Sequence, residues 1–342
     1  MDSRKITTRN GSDIAFTSLG LGTGPLGELF RKLDERTSIA TVEAAFAKGV
    51  RVFDTSPHYG CGLAESRLGA GLRGVPRNDL VVSTKVGRIM DPRGKKPKPV
   101  PGVVSFAGGY PHAARFDYSY DGAMRSIEHS LLRLGIDRLD IVMIHDCDRW
   151  THGAEGAPKR FKEAMEGAYV ALDTLRSEGV IKGIGFGINE ADTCVKFAKA
   201  GDFDVGMMAG RYSLLDQSGL QELLPLAQSK NIAIMLAGVF NSGILATGAV
   251  THAKFEYADA TPEVLDKVRQ LEALCAAHGV SIRQAAIQFA CMHPAVVSVV
   301  LGAVTPEEMV DNVRDAEVPI PPALWAEMKT EHLLDPAAPT PA

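Results

Sequence analysis

A closed parallel (β/α)8 barrel with an N-terminal β-hairpin is the fold this sequence predicts, and three observations predict it. Strand-like and helix-like segments alternate through eight units. Several strand segments are continuous apolar runs, as expected where both faces of a parallel sheet are buried. No GxGxxG follows the first strand, which counts against an open dinucleotide-binding sheet. Eight units favour closure over an open doubly wound sheet.

The elements follow in order. A hairpin signal opens the chain, with segments 5–8 and 13–17 on either side of Asn10-Gly11. Strands are expected at 18–21, 50–53, 80–84, 140–144, 181–186, 204–208, 232–236 and 297–301. The paired helices are expected at 38–48, 64–72, 121–134, 161–178, 190–200, 220–230, 262–278 and 306–316. Two long segments, 87–119 and 146–160, break the alternation after strands three and four and are expected to roof the C-terminal face. A short helix at 321–332 precedes a Pro/Ala-rich tail, 333–342, expected to be disordered. One domain spans 1–342, with its core at about 13–332.

Of the 342 residues, 45% are hydrophobic and 23% charged, an ordinary globular balance that can bury a large core. The net charge of −4 offers no electrostatic draw toward nucleic acid or anionic lipid. Neither a signal-peptide core nor a run of roughly 18–20 apolar residues is present, so a cytoplasmic protein without membrane attachment is expected. Cys61, Cys147, Cys194, Cys275 and Cys291 are scattered without zinc-ligand spacing, and no metal is expected.

The chemistry lies where strands end. Segment 50–53 delivers Asp54 and then Thr55-Ser56-Pro57-His58-Tyr59; segment 80–84 delivers Lys85; segment 140–144 delivers His145. In a parallel barrel those ends share one face, the face that carries active sites. Tyrosine has an ordinary pKa near 10 and is a weak base at neutral pH. A neighbouring Lys85 cation lowers it, Asp54 holds that cation, and His145 orients the reacting oxygen. One strand-end Asp or Lys is usually only solvated, but four such groups together point to a reductase or dehydrogenase.

With these residues placed, the chain resembles the aldo-keto reductase superfamily. The matching stretches are FDTSPHYGCGLAESRLGAGL (53–72), VVSTKVGR (81–88), RLGIDRLDIVMIHD (133–146), GIGFG (183–187) and LGAVTPEEMVDNV (301–313). Segments 116–148 and 238–245 further resemble the bacterial branch that holds D-threo-aldose (L-fucose or galactose) 1-dehydrogenases and a pyridoxal 4-dehydrogenase. The resemblance implies a catalytic tetrad of Asp54, Tyr59, Lys85 and His145 and a nicotinamide cofactor held by loops after strands one, seven and eight. On this chain those loops supply Gly22 and Thr23; Gly238, Phe240, Asn241, Ser242, Gly243 and Leu245; and Gly302, Thr305, Glu308, Asp311 and Asn312. Backbone amides of 241–243 would cradle the pyrophosphate, and Asp311 and Asn312 match positions that contact adenine.

The departures from the family pattern are informative. Many relatives carry Lys and Arg where this chain has Gly302 and Glu308, so a 2′-phosphate meets an anion instead of two cations. Repulsion of even ~1.4 kcal/mol costs tenfold in affinity, which favours NAD over NADP. Relatives also use Ser-Asn, Gln and an aromatic residue after strands five to seven, where this chain offers Gly187-Ile188-Asn189, Ala209 and Ala237. Asn189 is then expected at the carboxamide and Phe240 as the stacking ring, with Arg211-Tyr212 nearby. His58, Asp146 and Trp150 are the substrate-binding candidates, and Tyr110, Phe116, Tyr118 and Tyr120 complete an aromatic roof.

The function this implies is NAD-dependent oxidation of an aldose anomeric carbon to the lactone. The alternative is pyridoxal oxidation to 4-pyridoxolactone, and the reading from another class is a non-catalytic regulatory barrel subunit. The sequence leaves open which hemiacetal reacts, in which direction, and in what oligomeric state.

Overall fold

The structure, a computed structural model, describes residues 1–94 and 106–341. The strands are β1 (Ser3–Thr7), β2 (Asp13–Thr17), β3 (Leu19–Gly22), β4 (Val52–Asp54), β5 (Val81–Asp91), β6 (Ala113–Asp117), β7 (Ile141–His145), β8 (Gly183–Ile188), β9 (Val205–Ala209), β10 (Ala233–Ala237), β11 (Lys254–Phe255), β12 (Ala258–Asp259) and β13 (Val296–Gly302). The helices are α1 (Glu35–Ala47), α2 (Leu63–Gly71), α3 (Tyr120–Leu134), α4 (Arg149–Glu163), α5 (Tyr169–Ser177), α6 (Ala191–Ala200), α7 (Leu223–Ser229), α8 (Ile244–Thr247), α9 (Pro262–Ala277), α10 (Ile282–Cys291), α11 (Pro306–Glu317) and α12 (Pro322–Thr330). Eight parallel strands run in the order β4-β3-β13-β10-β9-β8-β7-β5, and β5 pairs back with β4 to close the barrel.

Alternation along each strand sorts the side chains into two cores. Val52, Val81, Ile141, Met143, Val205, Met207 and Met235 pack inside the barrel with Ile14 and Phe16 of β2, so the β1–β2 hairpin plugs the N-terminal end. Phe53, Val82, Val142, Ile144, Phe186 and Ile234 pack outward beneath the helices. At that same end Asp140 pairs with Arg77 at 2.6 Å and Lys182 at 2.9 Å, while Asp204 pairs with Arg176 at 2.8 Å. These acids also accept backbone N–H bonds from Val82 and Ile184, so they bind neighbouring strands together rather than a ligand.

Several expectations change. Segment 87–119 begins as a continuation of β5 to Asp91 that pairs antiparallel with β6; its middle, 95–105, lies outside the described residues. Segment 146–160 is not a loop beyond its first residues, because Asp148 caps α4 by accepting from the Thr151 N–H at 2.9 Å. The helix expected at 161–178 is interrupted by a π turn, Ala164–Ala168. Helix α10 was not expected; a Ser281–Gln284 capping box starts it. The tail does not follow the expectation of disorder: Leu333, Leu334 and Ala338 are buried, and Lys329 donates to the Ala338 carbonyl at 2.7 Å. No described helix is long and apolar enough to cross a membrane.

Candidate active site

The same alternation that fills the barrel brings the chemistry to its C-terminal mouth. Two residues beyond inward-facing Val52 comes Asp54; four beyond Val81 comes Lys85; two beyond Met143 comes His145. Strand pairing places Asp54 opposite Ser83 and Lys85 opposite Met143. All three side chains therefore point to the barrel axis at neighbouring strand ends.

The contacts are specific. The Lys85 ammonium donates to Asp54 Oδ2 at 2.6 Å and to the Thr55 carbonyl at 2.9 Å. Ser83 donates to the other Asp54 oxygen at 2.7 Å. Lys85 Nζ lies 4.9 Å from the centre of the Tyr59 ring, and the His145 ring meets that ring edge-on at 5.9 Å. Tyr59 reaches this position from a tight turn in which Gly60, Cys61 and Gly62 all take positive φ. The turn presses on Gly27 so closely that a Cβ there would sit 2.6 Å from the Tyr59 carbonyl carbon.

Burial is the largest influence on Tyr59 and raises its phenol above the ordinary value; the Lys85 charge pulls it back. The expectation of a net-lowered tyrosine is thus corrected, although the Lys85 effect has the expected sign. Burial also raises Asp54 against the opposing pull of Lys85. On Lys85 burial acts downward, but the Asp54 and Tyr59 fields outweigh it and the ammonium is held charged.

His145 is pushed well below its ordinary pKa by burial, then by Lys85 and Arg88. Its 3.3 Å approach to Asp146 is therefore a contact between a neutral imidazole and a carboxylate rather than an ion pair. Ser56 Oγ lies 3.1 Å from Nδ1, and with Nε2 carrying the proton the hydroxyl donates to Nδ1.

Asp146 takes a left-handed φ of 48°, unusual for a non-glycine residue. Its carboxylate is held by Arg88 at 2.8 Å and Asn189 Nδ2 at 3.2 Å, and lies 3.3 Å from His145 Nε2. It acts here as the brace of the His145 ring. Tyr118, expected in the roof, is instead buried beneath this strand end and donates to the His145 carbonyl at 2.8 Å. Phe116 covers the Arg88 guanidinium at 4.5 Å. His58 lies 6.2 Å from the His145 ring and 5.2 Å from Phe106, with Nδ1 buried and unpartnered. Burial, then Arg88, pushes His58 well below its ordinary pKa.

A cleft runs beside the tetrad over the ends of β8 to β10, lined by Trp150, Asn189, Ala209, Gly210, Arg211, Gly238, Asn241, Ser242, Glu256 and Tyr257. Asn189, Gly238, Asn241, Ser242 and Trp150 thus come together as the sequence suggested. Phe240 does not join them, because its ring turns toward Arg283, 5.9 Å away on α10. Leu245 is fully buried in α8 as a packing residue. The ring that lines the cleft instead is Tyr257, at the tip of the β11–β12 hairpin, which sequence reasoning missed.

Thr23 is spent on the fold, since its backbone and hydroxyl both donate to the Asp54 carbonyl, at 2.9 and 3.0 Å. Gly22 pairs with Gly302 across β3 and β13. Thr305 caps α11 by accepting from the Glu308 N–H, and the Glu308 carboxylate accepts from the Val304 N–H at 2.9 Å. Asp311 pairs with Arg314 at 2.7 Å. Asn312 is buried and accepts from Arg283 at 2.8 Å, placing at this end a cation that the sequence reading did not count.

Orphaned polar atoms and glycine-lined backbone beside a tyrosine–lysine pair fit a nicotinamide cofactor. The barrel and the polar groups at its mouth have the arrangement of an oxidoreductase active site. The model of the Aldo/keto reductase family matches residues 18–331, and the chain belongs to that family. It is 39% identical to the pyridoxal 4-dehydrogenase of Microbacterium luteolum, over 94% of this chain and 95% of that one. It is 37% identical to the D-threo-aldose 1-dehydrogenase of a Pseudomonas species, with 94% and 95% covered. Among solved structures, an aldo-keto reductase from Bacillus halodurans in its holo form superposes with a TM-score of 0.74 at 21% identity, over 99% of this chain and 98% of that one.

Proposed function

We propose that this protein is an NAD-dependent dehydrogenase that oxidises the anomeric carbon of a ring-form aldose to a lactone. The observation that carries the reading is the Asp54–Lys85–Tyr59 line ending beside a neutral His145. A hemiacetal offers a hydroxyl proton and a hydrogen on the same carbon. Tyr59, as phenolate, takes the hydroxyl proton, and Lys85 stabilises the anion that does so. His145, held through Nδ1 by Ser56, keeps its Nε2–H to orient the reacting oxygen. The bound nicotinamide supplies the hydride acceptor. Loss of one hydride and one proton converts the hemiacetal to its lactone.

A second reading, oxidation of the pyridoxal hemiacetal, draws support from the rings around the mouth: His58, Phe106, Trp150 and Tyr257. The two relatives named above are a pyridoxal 4-dehydrogenase and a D-threo-aldose 1-dehydrogenase, and since pyridoxal and aldoses both form cyclic hemiacetals in water, this supports hemiacetal oxidation as the shared chemistry.

Preference for NAD is supported by the anion at Glu308 and the missing side chain at Gly302. Arg283 opposes this, but it is matched by Asp315 at 3.3 Å and occupied by Asn312. The test is kcat/KM for NAD and NADP at fixed ionic strength, with NAD expected to lead by about tenfold. A wild type that prefers NADP overturns the cofactor assignment.

A further inference from the structure

We propose that Tyr257 is the ring that covers the nicotinamide end of the cofactor cleft, presented there by a pinned hairpin tip. The inference rests on the reading that a nicotinamide cofactor binds beside the tetrad.

Part of the cleft lining is made of small residues, Ala209, Gly210 and Gly238. A Cβ on Gly238 would lie 3.1 Å from the Gly210 nitrogen, so the two backbones meet without side chains between them. The rings that line the cleft are Trp150 and Tyr257. Asn241, 5% exposed, has its Oδ1 unpartnered while Nδ2 donates to the Gly210 carbonyl at 3.3 Å. A narrow slot with an aromatic cover and an unmet acceptor fits a flat ring that carries an amide N–H. Nicotinamide is such a ring.

The tip that presents Tyr257 is costly to form. Glu256 and Tyr257 both take positive φ, 49° and 66°, in a two-residue turn that favours Asn and Gly. Such strain persists where the surroundings hold it. Arg211 pairs with Glu256 and also donates through Nε to the Asn189 carbonyl at 2.8 Å. The Tyr257 N–H donates to Ser242 Oγ at 2.9 Å. Phe30 and Trp150 flank the ring at 6.4 and 6.5 Å between centroids. Burial raises the Tyr257 phenol to about 12, with Tyr59 and Asp146 adding to the rise. The roof, the Asn189 backbone and the 241–243 loop are thereby joined in one bonded set.

The experiment is titration of NADH, followed by its own fluorescence and without substrate, into wild type, Tyr257→Phe and Tyr257→Leu. The leucine variant is expected to bind at least about fivefold more weakly, within the range a ring–ring contact supplies. The phenylalanine variant is expected to match wild type, because the ring and not the hydroxyl makes the cover. Should Tyr257→Leu fail to fold, Glu256→Gln, which unpins the tip and keeps the ring, is expected to weaken NADH in the same direction. Unchanged NADH affinity in the leucine variant with a raised substrate KM assigns the ring to the substrate and overturns the proposal. Equal weakening in both variants overturns it too, by making the hydroxyl responsible. A wild type that binds neither NADH nor NADPH removes the cofactor reading itself.

Discussion

At Tyr59 two effects oppose each other, burial raising the phenol and the Lys85 cation lowering it. The net upward direction means that phenolate is scarce at neutral pH and grows as pH rises. Oxidation is therefore expected to climb through about pH 6 to 10 without a plateau where proton transfer limits the rate. No acidic limb is expected near the ordinary histidine pKa, because His145 stays neutral. A kcat profile that is flat across this range contradicts a phenolate base. Tyr59→Phe is expected to lower kcat by about 100-fold or more while NADH affinity, measured by fluorescence titration, stays near wild type. Glu308→Arg, alone or with Gly302→Lys, is expected to move the kcat/KM ratio toward NADP with kcat for NAD little changed. The 2′ position is remote from the reacting carbon and contributes uniform binding.

At the scale of elements, the end of β7 is held by a buried ion pair, Arg88–Asp146, that fixes His145. Arg88→Leu leaves the Asp146 charge buried without its cation and is expected to cost about 3 kcal/mol in a urea titration. Asp146→Asn added to Arg88→Leu is expected to restore part of that loss, since the orphaned charge is gone. An Arg88→Leu variant as stable as wild type contradicts the brace. The strand that carries His145 was legible because the apolar run 141–144 ends abruptly in a polar residue, and those that carry Asp54 and Lys85 from shorter apolar stretches, although β5 continues past Lys85 to Asp91. Helix α10 was not, because the alternation allots one helix to each unit and QAAIQFA is apolar on most sides. Nor was the β11–β12 hairpin, whose strands have two residues each and whose Glu256-Tyr257 tip lacks the Asn-Gly chemistry that signals such turns. Phe240 was misplaced for a related reason: sequence gives its distance from β10 but not which way the loop turns, and it turns toward Arg283.

For the whole molecule, the family, the closed barrel and the meeting of Asp54, Tyr59, Lys85 and His145 at its mouth were legible together, whereas the packing of the peripheral segments depends on tertiary contacts that no local pattern encodes. The tail is an instance. A Pro/Ala-rich composition reads as disorder, yet Leu333, Leu334 and Ala338 find a buried surface. Truncation after Glu331 removes two buried leucines and is expected to destabilise by roughly 3 kcal/mol or more on the usual value per side chain, read as a fall in the thermal midpoint. The most direct test of the account is NADH formation when the protein and NAD are mixed with L-fucose, D-arabinose, L-galactose or pyridoxal, wild type beside Tyr59→Phe. NADH and the corresponding lactone are expected in equal amounts from at least one of these hemiacetals, and neither from the phenylalanine variant. Absence of turnover with all four under both NAD and NADP, or undiminished turnover in Tyr59→Phe, contradicts it.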